Sequence, residues 1–203
     1  RVPSGDQTGL KLVRGFTVGV GATTDFTIDF DLRKSVVAPP GQRTPVSTCN
    51  GQAYLLKPAL RMVDNLQVGT ISGTIDSSLL SAPACVASTA KPGSVYLFGP
   101  VQATDPAPTV PDDVDGIASD GADPLTSALV SPDTYKYTIG FVPAGNYRVA
   151  YTCDLDETDV DADAPPAPPP ATDEVVEFTP PEGIPVTVTV NATQEVDFDA
   201  PTL

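Results

Sequence analysis

The sequence predicts an all-β protein made of antiparallel β-sandwich modules, the first of them incomplete within this chain. Three observations carry that prediction. The stretch FTIDFDLR, residues 26–33, alternates apolar and polar residues without a break, the period of a strand with one dry face. From Gly69 onward, short apolar stretches recur with turn residues between them and no helical period. Two acidic, proline-rich segments, 103–124 and 154–174, separate those stretches and cannot themselves form a core.

Residues 1–68 read as strands. GLKLVRGFTV (residues 9–18) is strand-like and is followed by the turn GVGATTD. In the next strand Phe26, Ile28, Phe30 and Leu32 share one face, and Thr27, Asp29, Asp31 and Arg33 the other. After a Pro/Gly-rich insert (38–53), YLLKPALRMVDN alternates again, setting Leu55, Lys57, Ala59 and Arg61 against Tyr54, Leu56, Pro58, Leu60 and Met62. A helix there would hold Pro58 in its interior at a cost of about 3 kcal/mol, so an edge strand is the better reading. Pairing of the two strands would bring Lys57 and Arg61 among Asp29, Asp31 and Arg33, an ion-pair ladder that sets the register. An acid/base pair is the weaker reading of the two aspartates. So few strands make a poor domain alone, because their apolar face needs cover.

Residues 69–203 read as a second sandwich. GTISGTID and SVYLFGP are strands, and residues 126–153 give three more, divided by the turns SPDT and VPAGN. Tyr135, Tyr137 and Ile139 fall on one face, and Tyr147, Val149 and Tyr151 on another. EVVEFTPPEG and PVTVTVNATQEVDFDAP finish the chain as strands. Of the three cysteines, Cys85 and Cys153 lie at strand ends of this module, and a bridge between them would close a loop of roughly 69 residues, worth about 4 kcal/mol. Two buried thiols are the alternative. Cys49 is left over in the insert, and no C-x-x-C spacing suggests zinc.

Charge and composition narrow the function classes. The net charge of −15 divides into +3 over residues 1–68 and −18 over the rest, a surface that repels nucleic acid and anionic lipid. No apolar run approaches the roughly 18–20 residues of a membrane-spanning helix. The chain opens on strand-like sequence, so it is expected to be a mature, cleaved or partial one. It has no histidine, which removes Ser-His-Asp and Cys-His catalysis and His-ligated metals, and no tryptophan, so a sugar platform would fall to tyrosines such as Tyr96, Tyr135, Tyr137, Tyr147 or Tyr151. No glycine-rich phosphate loop opens a helix. Ligand chemistry is confined to the acidic segments. Asp112, Asp113, Asp115, Asp120 and Asp123 form an oxygen-rich loop suited to Ca²⁺, the one cofactor expected if there is any. The second loop, with Asp154, Asp156, Asp159, Asp161 and Asp163, lacks the glycine and glutamate of a calcium-hand loop, having Ala164 and Pro170 in their places. A solvated, self-repelling loop is the alternative for both. Asn191-Ala-Thr193 fits a glycosylation acceptor but reads as a plain turn between strands.

The motifs VPSGDQTGLKLVRGFTV, FTIDFDLRKSVV and YLLKPALRMVDNLQVGTISGTID together resemble the bacterial lipoprotein family known as domain-of-unknown-function family 4382, over residues 1 to about 76. PDTYKYTIGFVPAGNYRVAYTC resembles the carboxypeptidase-regulatory or transthyretin-like sandwich modules. The first resemblance implies an exported protein, usually lipid-anchored, with no assigned activity, and a further half-domain of strands before VPSG. The expectation is therefore a non-enzymatic structural protein of the bacterial cell surface or extracellular space. It would assemble with copies of itself, head to tail by strand addition, or meet other cell-surface proteins. The alternative is a carbohydrate- or surface-ligand-binding module of a lipoprotein.

Overall fold

The computed structural model describes residues 23–31, 35–37, 55–56, 59–81, 85–86, 92–100, 124–153 and 176–199. Among these residues are eleven strands, two 3-10 turns, and helical backbone at Ser35 and Cys85–Val86. The fold is all-β. β1 (Phe26–Asp31) pairs antiparallel with β4 (Ala59–Asp64), and β2 (Val36–Val37) with β3 (Leu55–Leu56). The second stretch thus supplies two strands with different partners, and Lys57 and Pro58 between them lie outside the described residues.

Asp64 ends β4 and caps the turn Asn65–Gln67, its carboxylate accepting from Leu66 N at 2.9 Å. The turn delivers the chain into β5 (Val68–Thr74), the first strand of a two-sheet sandwich. The other six strands are β6 (Ser94–Phe98), β7 (Pro124–Leu129), β8 (Lys136–Pro143), β9 (Gly145–Thr152), β10 (Thr179–Val188) and β11 (Thr193–Glu195). One sheet has the order β10-β9-β6-β7 and the other β11-β5-β8. Ile71, Val95, Leu97, Val149 and Val188 fill the space between them. β6 is buried on both faces, which explains its unbroken apolar run. Val95 and Leu97 join the main core, whereas Tyr96 and Phe98 form a second cluster with Ala150, Val176 and Phe178 on the outer side of the sheet. There the Phe178 ring meets Tyr96 and Phe98 edge-on, at centroid distances of 5.4 and 5.6 Å.

The sandwich is mixed rather than purely antiparallel, because β11 runs parallel to β5. Two glycines let the final segment lie so close. A Cβ at Gly73 would overlap the Val196 carbonyl, and one at Gly69 would overlap the Thr189 carbonyl. The segment is fixed by Val196 N donating to Ser72 O at 2.8 Å and Phe198 N to Thr74 O at 2.9 Å. Phe198 then plugs the core between Tyr137 and Tyr151, a burial worth about 1.5–3 kcal/mol. β10 tolerates Pro180, Pro181 and Pro185 because it is an edge strand. Its register breaks between Thr179 and Ile184, where Arg148 Nη1 donates to Glu182 O at 2.8 Å and Gly183 O at 3.2 Å. The proposed face of Tyr135, Tyr137 and Ile139 needs correction. Tyr135 lies in the turn before β8 at φ 54°, outside the pleat that aligns the other two.

Candidate functional site

Register in the β1–β4 pair sets Asp29 directly across from Arg61, and Arg61 Nη2 donates to Asp29 Oδ2 at 2.7 Å. Asp31 lies opposite Ala59 in the same ladder, while Arg33 and Lys57 lie outside the described residues. On the same face as this ion pair, Val63 is buried. Arg61 also bears on the buried Tyr147. Burial pushes the Tyr147 phenol above its usual range, and the guanidinium pulls it partly back. The face read as wet therefore holds Val63, the buried residue of this hairpin among those described, with Thr27, Asp29 and Arg61 half-buried beside it.

The opposite face is the one read as dry, and it is only partly covered. Ile28 is 57% exposed, and Phe26, Phe30, Leu60 and Met62 are half-buried. Arg61, on the other face, acts on Tyr147 of the sandwich, and the turn after β4 is tied to the β8–β9 turn by Ala144 N donating to Gln67 O at 3.0 Å. Leu32 lies outside the described residues. On this face Ile28 is thus the exposed apolar side chain among the described residues, flanked by the half-buried Phe26, Phe30, Leu60 and Met62.

Cys85 and Cys153 are joined in a disulfide with a Cα–Cα distance of 4.9 Å. It is buried, and the Tyr151 hydroxyl lies 2.8 Å from Cys153 Sγ while donating to Pro92 O at 2.6 Å. Cys49 lies outside the described residues. So do the calcium candidates Asp112, Asp113, Asp115, Asp120 and Asp123, and the second loop's Asp154, Asp156, Asp159, Asp161 and Asp163. Among the described residues no three His, Cys, Asp or Glu side chains converge on a common point, and no helix is long and apolar enough to cross a membrane.

Four of the five candidate platform tyrosines belong to the core. Tyr96, Tyr137, Tyr147 and Tyr151 are buried, and only Tyr135 reaches the surface, at 37% exposure. Tyr96 packs in the outer aromatic cluster, and the other three satisfy their hydroxyls within the fold. Tyr137 donates to Val196 O at 2.7 Å, Tyr147 to Pro143 O at 2.9 Å and Tyr151 to Pro92 O, so each ring fills the core while its polar end ties down a neighbouring segment. Burial raises the phenols of Tyr137 and Tyr151, the latter to about 12.

Sequence reasoning missed an exposed aromatic, Phe141. Ile139 and Val142 both point into the core although they are three residues apart, because β8 carries an extra residue opposite the Gly69–Ile71 step of β5. That bulge turns Phe141 outward at φ 55°, 45% exposed. The glycine inside a strand pattern, Gly140, was the available signal.

A family model described as Domain of unknown function (DUF4382) matches residues 1–58, ending just before β4. That is the part of the chain that is similar to the family. No curated protein and no solved structure matches the chain.

Proposed function

We propose that this chain is a non-enzymatic structural subunit of the bacterial cell surface or extracellular space, and that it assembles with copies of itself. In this reading residues 1–68 are the second half of a lipoprotein-family domain, and residues 69–203 are a transthyretin-like or carboxypeptidase-regulatory-like module. The seven strands β5–β11, divided four and three, support the second assignment. A buried disulfide supports an oxidising compartment.

The observation that carries the proposal is the partly covered apolar face of β1 and β4, with Ile28 exposed at its centre. Ile28 is the side chain left mostly wet there, and full burial of such a side chain is worth about 1.5–3 kcal/mol, part of which contact with a second copy would supply. The division of charge, +3 over residues 1–68 and −18 beyond, favours contact between unlike parts of neighbouring copies. Such a head-to-tail contact extends into a filament unless its rotation closes a ring.

Sedimentation velocity over a concentration series, with negative-stain electron microscopy of the same samples, tests this. Oligomers or filaments are expected from the wild type and their loss from Ile28→Asp. A wild-type chain that stays monomeric at every concentration refutes the proposal. Any calcium is assigned to the Asp112–Asp123 carboxylates, where it orders the loop. Chelator is then expected to lower the Tm and speed proteolysis of that loop, and an unchanged Tm and cleavage pattern removes calcium from the reading.

A further inference from the structure

The outer face of the β11-β5-β8 sheet is a second surface, independent of the hairpin's apolar face. Ile71 and Ile139 take the core side of this sheet, so their alternating neighbours take the other. Register sets Thr193 beside Thr70, and sets Ser72 between Glu195 and Thr138. In the next row Thr74 lies opposite Lys136, and its hydroxyl donates to Asp197 Oδ1 at 2.7 Å. These side chains are exposed or half-buried. They form cross-strand rows in which neighbours on adjacent strands lie about 4.8 Å apart, bounded on one margin by carboxylates.

Two neighbouring residues on β8 have no explanation inside the sandwich. Gly140 does not occupy the left-handed region, and a Cβ built there meets nothing within 4 Å. Neither conformation nor crowding calls for glycine. A glycine within a strand weakens it, and it often marks a place where a ligand or another backbone comes close. Phe141 shows the reverse problem. It holds a left-handed conformation that disfavours a bulky side chain, and the bulge spends that strain on facing an aromatic ring toward solvent.

A ring beside bare backbone, next to rows of hydroxyl and carboxylate acceptors, suits a pyranose. The C–H face of the sugar stacks on the ring while its hydroxyls bond to the rows. We propose that this face binds an extended chain of neutral sugars, with one unit stacked on Phe141 over Gly140 and the following units crossing the hydroxyl rows of β5 and β11. Glu195 and Asp197 against the single Lys136 repel an anionic polysaccharide. A peptide strand added at the edge of β8 is disfavoured by the bulge and by Lys136, both of which interrupt edge pairing.

Native affinity electrophoresis of the full chain tests this, using gels cast with mixed-linkage β-glucan, xylan, glucomannan or amylopectin, and with polygalacturonate as the anionic comparison. Retardation by at least one neutral polysaccharide is expected. Asparagine tolerates the left-handed backbone, so Phe141→Asn should keep the Tm while binding about tenfold more weakly. Gly140→Val, whose Cβ enters open space, should weaken binding likewise, and Leu129→Ser on β7 should leave it unchanged. No retardation by any neutral polysaccharide overturns the proposal, as does equal retardation of the wild type and both face variants. Stronger retardation by polygalacturonate also overturns it. If the variants change self-association and not retardation, the face is a protein contact and the proposal fails.

Discussion

Arg61 shows how one side chain can serve two neighbours. It bonds Asp29 across the hairpin and sets its charge near the Tyr147 phenol. With the two partners 20% and 36% exposed, water screens the pair, and a coupling of about 0.5–1 kcal/mol is expected. A double-mutant cycle of Asp29→Ala and Arg61→Ala in urea unfolding measures it. A coupling of zero would leave the register to the apolar pairs Phe30–Leu60 and Ile28–Met62. The buried phenols give a second test at this scale. A tyrosine whose pKa is raised by folding stabilises the fold fully below its unfolded value of 10.0, and that contribution is lost as pH rises through the folded value. For Tyr151 the window runs from there to about 12. Absorbance titration is expected to show Tyr137, Tyr147 and Tyr151 ionising late, together with loss of the near-ultraviolet circular dichroism. Complete ionisation near pH 10 in a folded chain contradicts the burial argument.

At the scale of elements, two glycines predict opposite outcomes. Gly73→Ala drives a methyl into the Val196 carbonyl and should lift β11 off β5, at about 1–3 kcal/mol. Faster amide exchange at Val196 and Phe198 would accompany it. Gly140→Ala meets open space and should stabilise the chain by about 0.5–1 kcal/mol. Equal effects in urea unfolding would show that the close approach of β11 carries no weight. The two glycines look alike in sequence, since only tertiary approach distinguishes them. The pairing of β1 with β4 was legible because period-two alternation and opposite charges at Asp29 and Arg61 specify one register. Which face of that pair would be covered was not, because it depends on the direction in which the turn at Asn65–Gln67 leaves β4. The bulge at Phe141 broke the alternation on which the reading of β8 relied. The tyrosines misled for another reason. A phenol at an inward position looks the same in sequence whether its hydroxyl seeks a sugar or a backbone carbonyl such as Pro143 O.

At the scale of the whole molecule, the Cys85–Cys153 bridge spans 68 residues and ties the segment before β6 to the end of β9. Reduction, or Cys85→Ser with Cys153→Ser, is expected to remove about 2–5 kcal/mol, measured as a lower urea midpoint. An unchanged midpoint would mean that the unfolded chain is already restricted in that region. The parallel docking of β11 on β5 has a consequence for force. The sandwich begins at β5 and ends at β11, side by side and pointing the same way, so tension along the chain pulls the two past each other lengthwise. The bonds from Thr70 N to Ala192 O, Val196 N to Ser72 O and Phe198 N to Thr74 O are then loaded together in shear instead of being peeled apart singly. Optical-tweezer pulling from Val68 to Asp199 should give one abrupt high-force rupture. Its length gain should fall short by the extension held inside the disulfide loop, at about 3.3–3.6 Å per residue, and reduction should release that length.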